Sequence, residues 1–191
     1  IMRVAKRAEE AGIAALALHG RTREDMYLNT ARYTLIKDVK EMLNIPVIAN
    51  GDIDSPEKAQ YVLDYTGADA IMIGRAAQGR PWIFREIAHY LKTGQHLHAP
   101  SIAEVKEVLL GHLTELYEFY GEYSGCRISR KHIAWYTKGL RSSNEFRQSM
   151  YQVENTADQY RVVEDYFNTL LEHGLTMNDV QVEAVNLLQT Q

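Results

Sequence analysis

The hydrophobic pattern changes period several times over residues 1–92. Residues 2–11 set Val4, Ala8 and Ala11 on one side and charges on the other, predicting an amphipathic helix stopped by Gly12. Residues 13–19, "IAALALH", form a short apolar run that fits a buried strand. After the polar stretch "GRTREDMYLNT", residues 33–43 place Leu35, Ile36, Val39 and Leu43 at helical spacing. "IPVIAN" predicts a second strand ending at Asn50. Ser55 before Pro56 reads as an N-cap with proline at the first helical position, and Gly67 closes that helix. "ADAIMIG" is a third strand, and "RAAQGRPWIFREIAHYL" reads as mostly helix. Strands separated by helices predict βαβ units and a parallel sheet, which needs helices on its faces or closure into a barrel. Three strands make a poor parallel sheet, and the chain opens inside a helix without a cap. Further strands N-terminal to these residues are therefore expected.

The character changes at "TGQHLHAPS", residues 93–101, a linker by composition. His96 and His98 alternate there as metal ligands can, but no third ligand is in sight and a solvated loop fits better. Four amphipathic segments follow without a strand-like run. The first, "IAEVKEVLLGHLTELYEFYG", aligns Val105, Leu109, Leu113 and Leu116; the others are "CRISRKHIAWYTKGL", "NEFRQSMYQVE" and "TADQYRVVEDYFNTLLEHG". They predict a small helical bundle over residues 102–174, with residues 175–191 a looser tail.

Composition narrows the class. Hydrophobic residues are 46% and charged residues 24% of the 191, as in ordinary globular proteins, which argues against disorder. The single cysteine, Cys126, excludes an internal disulfide or a Cys-rich zinc site and fits a reducing, cytoplasmic setting. No apolar run approaches the ~20 residues of a membrane helix, and no secretory signal pattern appears. The formal net charge of −4 does not suggest nucleic acid, but local charge does. Over residues 127–147 six basic residues, among them Arg127, Arg130 and Lys131, stand against Glu145 alone. His132, Trp135 and Tyr136 interleave with them. Such a cluster suits phosphate contacts, or else is a solvated basic helix over an aromatic core.

Candidate chemistry collects at the strand ends. "HGRTR", "NGD" and "GR" follow the three strands, and loops at the C-terminal ends of parallel strands build active sites. Gly74-Arg75 before a helix offers backbone N–H groups, a partial positive charge and a guanidinium fork, a fit for phosphate; the plainer reading is a capping turn with a surface arginine. His19 is either a ligand or a satisfied buried histidine. Asn50 and Asp52 could bind sugar hydroxyls or simply make a turn. Arg80, before Pro81, reads as structural or peripheral.

Together, "HGRTR", "PVIANGDI", "DYTGADAIMIGRAAQGRPWIFREI" and "RISRKHIAWY" closely resemble the tRNA-dihydrouridine synthases, bacterial B-type, in order and spacing. The resemblance implies the C-terminal three βα units of an FMN-binding TIM (β/α)8 barrel over residues 1–92, then an all-α domain that grips tRNA. It implies that Asn50, Gly51 and Asp52 contact FMN, that Gly74 and Arg75 hold its phosphate, and that His19 lies against the flavin. Arg127, Arg130 and Lys131 become candidate RNA contacts. Arg21 and Arg23 carry no firm role, and Asn29-Thr30 departs from the glycine that related sequences have after "MY". The implied reaction reduces the C5–C6 bond of uridine in tRNA: NADPH reduces FMN, flavin N5 gives hydride to C6, and a cysteine protonates C5. That cysteine, and a lysine near the flavin, are expected upstream; Cys126 is a packing residue, and these residues alone are expected to be inactive. A monomer with no membrane partner is expected. Two other readings are open: an FMN barrel acting on a small molecule, marked by activity on free uridine, and a non-catalytic RNA-binding module, marked by tRNA binding without flavin.

Overall fold

The computed structural model describes residues 1–22 and 30–174. The chain divides into two compact units, Ile1–Leu97 and His98–Gln191. Arg23, Asn29 and the tail at 175–191 lie outside the described residues.

In the first unit the elements run α1 (Met2–Glu10), β1 (Leu16–His19), α2 (Tyr33–Met42), β2 (Val47–Asn50), α3 (Pro56–Thr66), β3 (Ala70–Met72), a 3-10 turn (Arg75–Ala77) and α4 (Ile83–Thr93). The strands form a parallel sheet in the order β1-β2-β3. Each strand is shorter than its apolar run. Ile13, Ala14 and Ala15 precede β1, and Ile73 and Gly74 follow β3, because ladder pairing covers only Leu16 to His19 and Ala70 to Met72. The predicted helix after β3 is likewise interrupted, since Pro81 and Trp82 separate the 3-10 turn from α4.

Caps explain several boundaries. Ser55 Oγ accepts from Lys58 N with Pro56 at the first helical position, and Gly67 closes α3 at φ 65. The carboxylate of Asp69 accepts from Val47 N and Lys40 Nζ, both at 2.7 Å, which pins the entry of β2 to α2 and β3. Glu9 does the same for the loop before β2, accepting from Asn44 N at 2.6 Å and Ile45 N at 3.3 Å.

The sheet has two unlike faces. Leu18, Val47 and Ala49 point into a core shared with Ile36, Val39, Ala59, Val62, Ile83 and Ile87 of the helices. Burial of each large aliphatic side chain there contributes about 1.5–3 kcal/mol. The α1 face differs from the expected one. Ala5 is buried while Val4 is 66% exposed, because this short helix turns Met2, Ala5 and Glu9 inward. On the other side of the sheet, register aligns Ala17, Ile48 and Ala70, then His19, Asn50 and Met72, all exposed or half-buried.

The second unit contains α5 (Ile102–Tyr136), α6 (Ser143–Met150) and α7 (Thr156–Glu172). Ser101 and Glu104 form a reciprocal capping box at the start of α5. Gly121, at φ 73 and ψ 176, breaks α5 into two arms, so the described residues of this unit form four helical segments. Gly125 sits where a Cβ would meet Tyr117 Cα at 3.1 Å, which lets the arms approach closely. Gln159 of α7, fully buried, joins them: its Oε1 accepts from Tyr117 and Ser129, and its Nε2 donates to the Cys126 carbonyl.

A histidine pair links the arms as well. His112 and His132 stack edge-on at 4.8 Å, with Trp135 against His132 and Tyr136 against His112. Burial lowers both histidine pKa values, and in His132 the neighbouring His112 and Lys131 add to the effect. The unfolded chain, with histidines near 6.5, binds more protons than the folded one below that pH. Stability of this unit is therefore complete above pH 7 and falls as pH drops through 6.5 toward the lowered values. Urea titrations of wild type at pH 7.5 and 5.5 should show the lower midpoint at 5.5, and His112→Phe with His132→Phe should flatten that difference.

Candidate functional site

The three strand ends of the first unit surround one cleft of about 520 Å3. His19, Asn50, Gly51, Asp52, Gly74 and Arg75 all line it, with Met72 and Ala76 as apolar lining. This volume lies in the ~300–1,000 Å3 range of small-molecule sites.

Each residue is placed by its strand. Asn50 ends β2 and donates from Nδ2 to the Met72 carbonyl at 2.7 Å, bracing β2 against β3. Gly51 follows at φ 127, and a Cβ there would come within 2.9 Å of Ala31 Cβ and 3.2 Å of His19 Nδ1. The loop thus closes against His19 only because residue 51 lacks a side chain. Tyr33, at the start of α2, donates its hydroxyl to the Gly51 carbonyl at 2.7 Å. Burial, with the Asp52 and Asp54 carboxylates, pushes its phenol up to about 12, so it remains a donor. Around Gly74 the opposite holds: nothing lies within 4 Å of an added Cβ, and the backbone there faces open space.

Asp52 is the electrostatic centre. It sits at φ 52, a region aspartate tolerates better than most residues. Its Oδ2 accepts from Ala31 N at 2.9 Å and meets Arg21 Nη2 at 2.6 Å, while Oδ1 lies 3.3 Å from Arg75 Nη2. Burial raises the Asp52 carboxyl, but the Ala31 N–H and the two guanidinium groups outweigh it and hold the group below its ordinary value. Arg21 is 8% exposed at its side chain and Arg75 61%. Arg21 is thus an inner brace of the loop, and Arg75 is the cation that reaches the open cleft. Sequence reasoning gave Arg21 no role, because its partner stands 31 residues away in sequence. Arg80 is a brace too: it pairs with Glu86 at 2.6 Å and donates to the Asp54 carbonyl at 3.3 Å.

In the second unit the three basic candidates separate. Arg127 is exposed with its guanidinium 4.2 Å from the Tyr123 ring centre, and Lys131 is exposed with Nζ 5.0 Å from that of Trp135. Arg130 turns inward and donates to the Val153 carbonyl at 2.9 Å. Cys126 is 1% exposed, its thiol 3.5 Å from that same carbonyl. Burial pushes the thiol pKa up, which suits a packing residue. His96 pairs with Glu57 at 2.9 Å and lies against Tyr90.

The profile of the family described as dihydrouridine synthase (Dus) matches residues 1–172. The chain belongs to the dihydrouridine synthase family. A protein of Shewanella oneidensis named tRNA-dihydrouridine synthase B is 56% identical over 172 residues, which cover 90% of this chain and 53% of that protein. A protein of Vibrio vulnificus with the same name is 56% identical over 167 residues, covering 87% of this chain and 52% of its own length. One of Pseudomonas aeruginosa, also so named, is 56% identical over 164 residues, covering 86% and 49%. The chain spans about half the length of the curated relatives it matches. The matched region takes in residues of both units, those of the cleft and of the basic helix alike. Among the described residues, no helix is long and apolar enough to cross a membrane, and no group of three or more His, Cys, Asp or Glu could hold a metal.

Proposed function

We propose that these residues form the cofactor-phosphate side of a tRNA-dihydrouridine synthase, together with a helical unit that grips tRNA. The first unit is then the last three βα units of a TIM barrel. Its sheet face carrying Ala17, Ile48 and Ala70 would look into the barrel. The observation that carries the reading is the convergence of His19, Asn50, Gly51, Asp52, Gly74 and Arg75 on one cleft.

The donor set suits FMN. Arg75 offers a guanidinium to a phosphate, beside a backbone at Gly74 with open space in front of it. Asp52, kept ionised by its partners, offers acceptor oxygens to hydroxyls. His19 and Met72 are exposed on the sheet face at the same level, where they can lie against a planar ring. When bound, FMN would supply the hydride for reduction of a tRNA uridine. The chain's own part is to orient the cofactor through the β2 loop and to hold its phosphate. The acid at C5 is assigned to a cysteine outside these residues, since Cys126 is buried in the helical unit.

Spectroscopy on the purified 191-residue protein tests this. FMN should bind and tRNA should bind, while added NADPH should give no dihydrouridine by mass spectrometry of the tRNA. Failure to bind either FMN or tRNA would overturn the reading. Dihydrouridine formed by these residues alone would overturn the assignment of the acid.

A further inference from the structure

The helix after Gly121 carries a periodic surface that the basic triad does not describe. Tyr123, Arg127, Lys131 and Trp135 recur every four residues along its length, so they share one face. An aromatic ring ends the row on each side and two cations fill its middle. Tyr123 is 67% exposed with the Arg127 guanidinium over its ring, and Trp135 is half-buried with the Lys131 ammonium over its ring. Twelve residues at 1.5 Å rise make the row about 18 Å long. No Asp or Glu occurs from residue 123 to 144.

We propose that this row grips an unpaired stretch of tRNA, with bases stacking on Tyr123 and Trp135 and phosphates held by Arg127 and Lys131. The inference rests on the tRNA reading above and specifies how the RNA is held. Charge complementarity selects a polyanion. The exposed Tyr123 ring and the half-buried Trp135 ring select one whose bases present free faces, which single strands and loops do and duplexes do not. The ring–cation pairs hold these long side chains in place before binding, which lowers the ordering cost. Arg130, turned to the Val153 carbonyl, has no place in the row.

The test uses the full chain with three probes: unmodified tRNA, a labelled oligouridylate and a perfectly paired RNA hairpin of equal charge. Tyr123→Ala should weaken tRNA and oligouridylate binding about tenfold and leave the salt dependence unchanged, because base stacking is uncharged. Arg127→Gln with Lys131→Gln should lower the slope of log K against log salt by about 1.4–1.8, the loss of two phosphate contacts. In a Trp82→Phe background Trp135 is the sole tryptophan, and its emission should fall when RNA saturates the protein. Equal affinity for the hairpin and oligouridylate, or Trp135 emission that does not respond, would overturn the stacking. A poly-glutamate that displaces tRNA as well as RNA does would reassign the row to acidic proteins. If tRNA binds every variant as it binds wild type, the row is not the site and the tRNA reading stands. If wild type itself fails to bind tRNA, both fall.

Discussion

Gly51→Ala is expected to be among the most damaging single substitutions in the first unit, and it adds only one methyl group. The residue sits at φ 127, where L-residues are strained, and the new Cβ would lie 2.9 Å from Ala31 Cβ. Ala31 cannot yield cheaply. Its own Cβ moves only with its backbone, and its N–H is bonded to Asp52. Backbone strain of roughly 1–3 kcal/mol and overlap of roughly 1–3 kcal/mol add to roughly 2–6 kcal/mol. Chemical denaturation should show that loss. FMN binding should fall with it, because relief of the overlap requires the loop to leave His19. Gly74→Ala is the control, since its Cβ would meet nothing within 4 Å of the protein. It should keep near-wild-type stability and lose affinity for FMN, whose phosphate would need that space. A stable Gly51→Ala protein would show that the loop does not close against His19 as described.

The second large effect is expected at Gln159→Leu, where the chain exchanges a buried amide for a similar apolar volume. Ser129 has one proton and lies within reach of both Gln159 Oε1 and the Cys126 carbonyl, at 3.0 Å from the latter. Without the amide, Ser129 can turn to Cys126 and satisfy both groups. The Tyr117 hydroxyl, 2.9 Å from Gln159 Oε1, loses that acceptor and keeps Ser129 as its hydrogen-bonding neighbour. The hydrogen bonds lost with the buried amide should cost about 2–3 kcal/mol. The double variant with Tyr117→Phe should be more stable than the sum of the single variants predicts, because each single variant already loses the same Tyr117–Gln159 bond. Strict additivity would place the cost elsewhere, in packing against Met150 and Cys126.

Local signals in the sequence were reliable where the physics is local. Ser55-Pro56 and Gly67 bounded α3 as capping chemistry requires, and Gly121 divided the long helix where the apolar pattern paused. The candidate cleft residues were legible because three strand ends of one parallel sheet must neighbour each other. Residues whose orientation depends on distant partners were not legible. Arg21 stands in a polar loop, and only the approach of Asp52 from the next strand makes it an inner brace. Arg130 follows Arg127 by three residues, yet the helical angle between them turns it toward Val153. The apolar pattern sets Val4 on the core face, but a nine-residue helix buries too narrow a strip for pattern alone to fix its rotation.

If the Gly74–Arg75 end of the cleft grips the phosphate of a flavin, the protein will distinguish flavins by that phosphate. Binding of FMN and of riboflavin, measured side by side by flavin fluorescence, tests it most directly, because the two differ only in that phosphate. Wild type should prefer FMN by roughly 10–100-fold, the worth of charge-assisted contacts to a phosphate, and Arg75→Gln should remove most of the preference. Equal binding of the two flavins by wild type, or a preference that survives Arg75→Gln undiminished, would contradict it.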